Sequence, residues 1–172
     1  TTPLDFTAQV DYSAADESLA TVYPLNDSYW TGSCTSSSKS QTSLVKAYPP
    51  TENGWMKFDV SGIPDGSVIN SVVFHGFVNA NNFPYWSITP VTNDPITTSP
   101  SVLYPDINAE ANAGYYLHRN ETGTIANDWI SYTLGGSVNA NLQAALVQNW
   151  FAIGLVDTDN GTYFISFEGW NQ

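Results

Sequence analysis

The run VINSVVFHGFVNA, Val68 to Ala80, constrains the fold more than any other stretch of the chain. It is rich in Val and Phe, which favour strands, and its near-continuous apolar character predicts a central strand covered on both sides. Shorter runs of the same kind lie on either side of it. LVKAY (Leu44 to Tyr48) and WMKFDV (Trp55 to Val60) enclose the turn cluster Pro49-Pro50-Thr51-Glu52-Asn53-Gly54 and read as a hairpin with a long loop. DWISYTL (Asp128 to Leu134) is another strand. Residues 81–127 read as loop-rich, punctuated by Pro84, Pro90, Pro95, Pro100 and Pro105.

One segment has helical periodicity. In SVNANLQAALVQNW, Val138, Leu142, Ala145 and Leu146 share a face, with Ser137 placed as N-cap. Many short strands, Gly/Pro turns and a single short helix predict an all-β sandwich. At 172 residues the chain fits one domain, 1–172, that buries roughly 70% of its unfolded surface. The single cysteine, Cys34, excludes an internal disulfide framework.

The acidic knot Asp157-Thr158-Asp159-Asn160-Gly161 lies between the apolar runs WFAIGLV and FISFEGW. A three-residue loop, Asp159 to Gly161, pairs Leu155 with Ile165 and Ile153 with Phe167 and gives one coherent apolar face, so the knot reads as a hairpin turn. The alternative is a weak calcium site using Asp157 and Asp159. The spacing does not fit a helix-hand calcium loop, because Gly161 is fifth from Asp157 where the sixth is wanted. No cofactor is otherwise indicated.

Charge narrows the partners. Four cations (Lys39, Lys46, Lys57, Arg119) stand against sixteen carboxylates, for a net charge of −12. Such a surface repels phosphate backbones and anionic membranes, so neither nucleic acid nor membrane insertion is expected. No apolar run approaches the ~20 residues of a membrane helix. The chain begins TTPLDF without an initiator Met, which reads as a mature or excised segment. Few lysines, low total charge and abundant Asn, Ser, Thr and aromatics point to an extracellular or cell-surface protein.

Catalytic motifs are missing from the sequence. His75 lies within the long strand run, His118 lies in the polar stretch YYLHRNETG, and there is no nucleophile elbow, His-Glu-x-x-His or phosphate loop. The chain is therefore expected not to be an enzyme. Aromatics are the richer resource. Tyr29-Trp30 in NDSYWTG, Phe83-Tyr85-Trp86 in NNFPYWS and Tyr115-Tyr116 in AGYYLHR are flanked by Asn, Asp and Ser. An aromatic face beside amides and carboxylates suits the C–H face and hydroxyls of a sugar ring. Tyr29, Trp30, Tyr85, Trp86, Tyr115 and Tyr116 are the candidate ligand-binding residues, and pinning loops onto the sandwich is the alternative use.

The stretch GWMKFDVSGIPDGSVINSVVFHGFV, Gly54 to Val78, resembles the signature of DNRLRE-type domains. Lys57-Phe58-Asp59-Val60 followed by Ser61-Gly62-Ile63-Pro64-Asp65-Gly66 carries the resemblance, which extends over about residues 44–170. It implies a jelly-roll-like antiparallel β-sandwich, found as a non-catalytic module of secreted bacterial proteins that binds carbohydrate or a cell surface. Residues 1–43 are atypical, and one further strand is expected after Phe167-Glu168-Gly169-Trp170. PLDFTAQVD (Pro3 to Asp11) alternates apolar residues and serves either as an edge strand of its own domain or as a strand exchanged with a neighbour. The second option implies an alternative function, a subunit of a strand-complemented filament polymerised from copies of this chain.

Overall fold

The computed structural model describes residues 5–13, 16–24, 30–82, 85–108, 114–120, 126–157 and 164–169, with backbone alone for 5–13, 16–19 and 120. It is an all-β sandwich of two six-stranded sheets with antiparallel pairing. The first sheet contains β1 (Asp5–Ser13), β2 (Asp16–Val22), β5 (Leu44–Ala47), β7 (Val68–Asn81), β10 (Asp128–Thr133) and β12 (Ile165–Glu168). The second runs in the order β4 (Lys39–Gln41), β3 (Thr31–Cys34), β6 (Asn53–Asp59), β11 (Trp150–Asp157), β8 (Tyr85–Pro90), β9 (Leu117–Asn120).

Fourteen residues make β7 long enough to organise the first sheet alone. It pairs with β1 along Val68–His75, with β10 along Val73–Val78 and with β12 along Val78–Asn81. Residues 73–75 and 78 each have two partners, so β10 holds one edge of β7 while β1 and β12 share the other, end to end. The strand anticipated at 3–11 therefore pairs within its own chain. Alternation along β7 sends Val72, Phe74 and Val78 into the main core, where they meet Met56, Phe58 and Leu155 of the second sheet.

Two expected hairpins are instead crossovers. β5 and β6 lie in different sheets and share no ladder; between them the connecting segment forms an isolated Tyr48–Glu52 bridge. β11 and β12 are likewise in different sheets, so Leu155 and Ile165 do not pair; both point into the core from opposite sides. A coherent apolar face is satisfied as well by packing across the sandwich as by pairing along one ladder, which is why pattern alone chose wrongly. The turn proposed at 159–161 lies outside the described residues.

Two-sided burial also falls elsewhere than expected. It belongs to β6 and β11, not to β7, whose outward residues Val73, His75 and Phe77 are half-buried. The outer face of the second sheet is covered by residues 91–99 and by α1 (Pro100–Ile107). This helix was hidden by its prolines. Pro100 starts it, where no N–H is needed, and Pro105 falls in its last turn. Leu103 and Ile107 pack there with Trp55, Ala152 and Val156 as a second core. Gly154 permits the close approach, because a Cβ there would meet Ile107 at 2.6 Å.

The helix expected from periodicity is α2 (Val138–Ala145), extended by a 3-10 turn at Leu146–Gln148. Val138, Leu142, Ala145 and Leu146 are its buried face. Ser137 precedes it but makes no side-chain capping bond to the backbone. Its hydroxyl accepts from the Asn141 amide instead, at 3.1 Å.

Candidate functional site

The six aromatic candidates do not form one surface. Tyr29 lies outside the described residues, as does the neighbouring Phe83. Trp86 is 1% exposed and Tyr116 is 3% exposed, so both belong to the core. Trp86 packs edge-on against Phe167, 5.5 Å between centroids. Trp86 was misread because its neighbour Ser87 is polar. On a strand, a polar neighbour marks the opposite face and says nothing of the residue itself. Trp30 is half-buried over the Lys57 ammonium, 4.4 Å from Nζ to the ring centroid. It holds a loop to the sandwich, the alternative use weighed above.

Tyr85 and Tyr115 remain nearer the surface, beside His118 on β9. Tyr115 stacks on the His118 ring at 5.1 Å, and His118 Nδ1 lies 2.8 Å from Ser87 Oγ. The last contact has the length of a nucleophile–base pair, but Ser87 is 0% exposed, and a nucleophile must reach its substrate. His118 itself is exposed on a strand, not in a loop. Of the two acids considered for calcium, Asp157 ends β11, buried and opposite Trp86, and Asp159 lies outside the described residues. Among the described residues no three His, Cys, Asp or Glu side chains gather around a common point. No described helix is long and apolar enough to cross a membrane.

All four cations are committed internally. Lys39 Nζ donates to the carbonyls of Pro95, Ile96 and Thr98 at 2.7–2.8 Å. Lys57 pairs with Asp94 at 2.8 Å, Lys46 with Glu52 at 3.3 Å, and the Arg119 guanidinium covers the Tyr132 ring at 4.4 Å. Each of these contacts engages a basic group that would otherwise offset the surface carboxylates.

The outer face of the first sheet is different, since no described element packs over it. β10 pairs with β7 so that Trp129 lies opposite Phe77, Ser131 opposite His75 and Thr133 opposite Val73. Trp129 is 41% exposed and meets Phe77 edge-on, centroids 5.6 Å apart at 68°. An edge-on partner holds the indole from one side and leaves the rest of it to solvent. Polar groups border the pair: Asp128 accepts from the Trp129 N–H at 2.8 Å, and Asn79 Nδ2 donates to Glu168 Oε1 at 3.1 Å. The signal was present in DWISYTL. Period two puts Trp129 with Ser131 and Thr133 on the polar side, and Ile130, Tyr132 and Leu134 on the core side.

The remaining concavity of interest lies between α2 and the end of the second sheet. It holds about 250 Å³ and is floored by Tyr116 and Phe151, stacked 6.2 Å apart. Tyr116 Oη accepts from Asn141 Nδ2 at 2.7 Å. Burial pushes the Tyr116 phenol up to about 12, so it stays protonated at neutral pH. No protein-family model matches the chain, and no curated protein matches it.

Proposed function

We propose that this chain is a non-catalytic, extracellular module that binds neutral polysaccharide on the open face of its first sheet. The observation that supports this reading is the Trp129–Phe77 pair on a sheet face that no described element covers, while the other sheet is covered on both sides. A strand face carrying an exposed indole suits an extended chain of sugar rings. Ser131, Thr133, Asn79 and Glu168 supply hydroxyl, amide and carboxylate partners nearby. The net charge of −12, with its basic groups turned to internal contacts, favours an uncharged ligand over an anionic one. The resemblance of Gly54–Val78 to DNRLRE-type modules points the same way.

The test is affinity electrophoresis through gels containing soluble β-glucan, xylan, mannan or starch. At least one polymer retards the wild type, and Trp129→Ala weakens that retardation by roughly tenfold or more, in the range of an interface anchor. Retardation unchanged by Trp129→Ala sinks the assignment of this face.

The strand-exchange reading retains one specific support. Among the described residues β2 pairs with β1 alone, so the hairpin Asp5–Val22 joins the first sheet through the β1–β7 ladder. A copy that lends this hairpin to a neighbour keeps every ladder bond while linking two chains. Light scattering distinguishes the outcomes: high-mass species that disappear when residues 5–22 are deleted support exchange, and a mass of 18.7 kDa for the intact chain excludes it.

A further inference from the structure

We infer that the cleft between α2 and the second sheet is a separate binding site for a single neutral, polyhydroxylated ring of the size of one pyranose unit. Its volume of about 250 Å³ lies just below the ~300 Å³ at which pockets for drug-sized ligands begin, so it admits one ring and not a chain. The floor is rigid. Tyr116 and Phe151 are 3% and 4% exposed and stack at 24°, and the small side chains of Ala145 and Ala152 leave the space above them open. With Pro90, Val91 and Ala144 they give the cleft an apolar wall for the C–H groups of a sugar.

The polar groups at the buried end are matched to hydroxyls. Asn141 Nδ2 donates to Tyr116 Oη and to Ser137 Oγ, which leaves the phenolic hydrogen and Asn141 Oδ1 for a ligand. Turning the amide over exchanges the roles and leaves the two Nδ2 hydrogens as donors and the Tyr116 oxygen as acceptor. A vicinal pair of hydroxyls, each able to give and to accept, satisfies both. Gln148 adds Oε1 at the rim, its Nε2 being held by the Trp150 carbonyl at 3.0 Å. Among the described residues no Lys, Arg, Asp or Glu lines the cleft, which favours an uncharged ligand.

This site does not depend on the open sheet face, and the experiment keeps the two apart. Saturation-transfer NMR is run with the methyl glycosides of glucose, galactose, mannose and N-acetylglucosamine at millimolar concentration. At least one gives transfer. Tyr116→Phe, which deletes one hydrogen-bonding hydroxyl, weakens that glycoside about fivefold. Ala144→Trp, at an exposed helix position on the mouth of the cleft, abolishes the signal without touching the core, and serves even where Tyr116→Phe fails to fold. Trp129→Ala leaves it unchanged. Absence of transfer from all four glycosides overturns the inference, and so does transfer that persists in Ala144→Trp.

Discussion

The Lys57 ammonium lies 4.4 Å from the centroid of the Trp30 ring. Trp150 holds it from a second direction at 4.8 Å, and Asp94 pairs with it at 2.8 Å. Lys57 projects from β6 onto the outer face of the second sheet and is 6% exposed, so the charge is compensated locally or not at all. The cluster ties the segment carrying Trp30 and the loop carrying Asp94 to one strand. Asp94→Ala leaves the ammonium with ring faces alone and is expected to lower stability by about 2–3 kcal/mol, less than a fully buried pair because Asp94 is partly exposed. Trp30→Ala is expected to cost a similar amount while leaving polysaccharide retardation intact. Urea denaturation checks both, and a Trp30→Ala protein that is fully stable but no longer binds would return Trp30 to the ligand site.

Trp86 gives the complementary case. It is among the largest fully buried side chains, and its indole N–H has no hydrogen-bond partner among the described residues. Trp86→Ala is expected to lose about 3–5 kcal/mol through the cavity it leaves. Trp86→Phe removes the unsatisfied donor along with some packing, and the two effects oppose each other, so its loss is expected to stay within about 2 kcal/mol. Thermal melts of the two variants test this. Equal losses for Ala and Phe would show that ring packing contributes nothing at this position.

Gly154 sets the distance between α1 and the second sheet. A methyl group there would approach Thr89 Oγ1 at 2.5 Å and Ile107 Cγ2 at 2.6 Å, and Thr89 Oγ1 already donates to the Ile107 carbonyl at 2.9 Å. Gly154→Ala must push the helix outward or break that bond. A loss of about 1–3 kcal/mol is expected, with faster hydrogen exchange over residues 100–107 than over β6. Uniform exchange in both regions would show that the helix does not yield separately.

These residues mark how far the sequence could be read. The strand runs and α2 were legible because period two and period 3.6 are local properties. Whether consecutive strands share a sheet is not local. Leu44–Tyr48 and Trp55–Val60 satisfy a hairpin pattern, yet their sheets face each other across the core. Long-range cover explains the other reversals. Nothing in WMKFDV announces that α1 will bury its outer side, and Pro105 argued against the helix that does so. Trp129 was legible in principle, since a Trp among the polar positions of an alternating strand has no core to enter. Lys57 was not, because a lysine at an outward strand position is ordinarily solvated.

Tyr116 and Cys34 give the fold an alkaline limit. Burial raises the Tyr116 phenol from its ordinary 10 to about 12 and the Cys34 thiol from 9 to about 12, with Lys39 opposing the shift of Cys34. Each group is neutral in the folded protein over a window in which the unfolded chain has already lost its proton. The unfolded state then binds fewer protons, so stability falls as pH rises. The contribution is complete below about pH 9 and is lost progressively as pH approaches 12. For Tyr116 the slope tends to about 1.4 kcal/mol per pH unit above pH 10. Denaturation midpoints measured from pH 8 to 11.5 should therefore descend, and Tyr116→Phe should descend less steeply because a phenylalanine has no proton to lose. The same burial keeps Cys34, 2% exposed, unreactive toward iodoacetamide at pH 8 until the protein unfolds. Parallel alkaline limbs for wild type and Tyr116→Phe would show that the phenol ionises as readily in the fold as outside it.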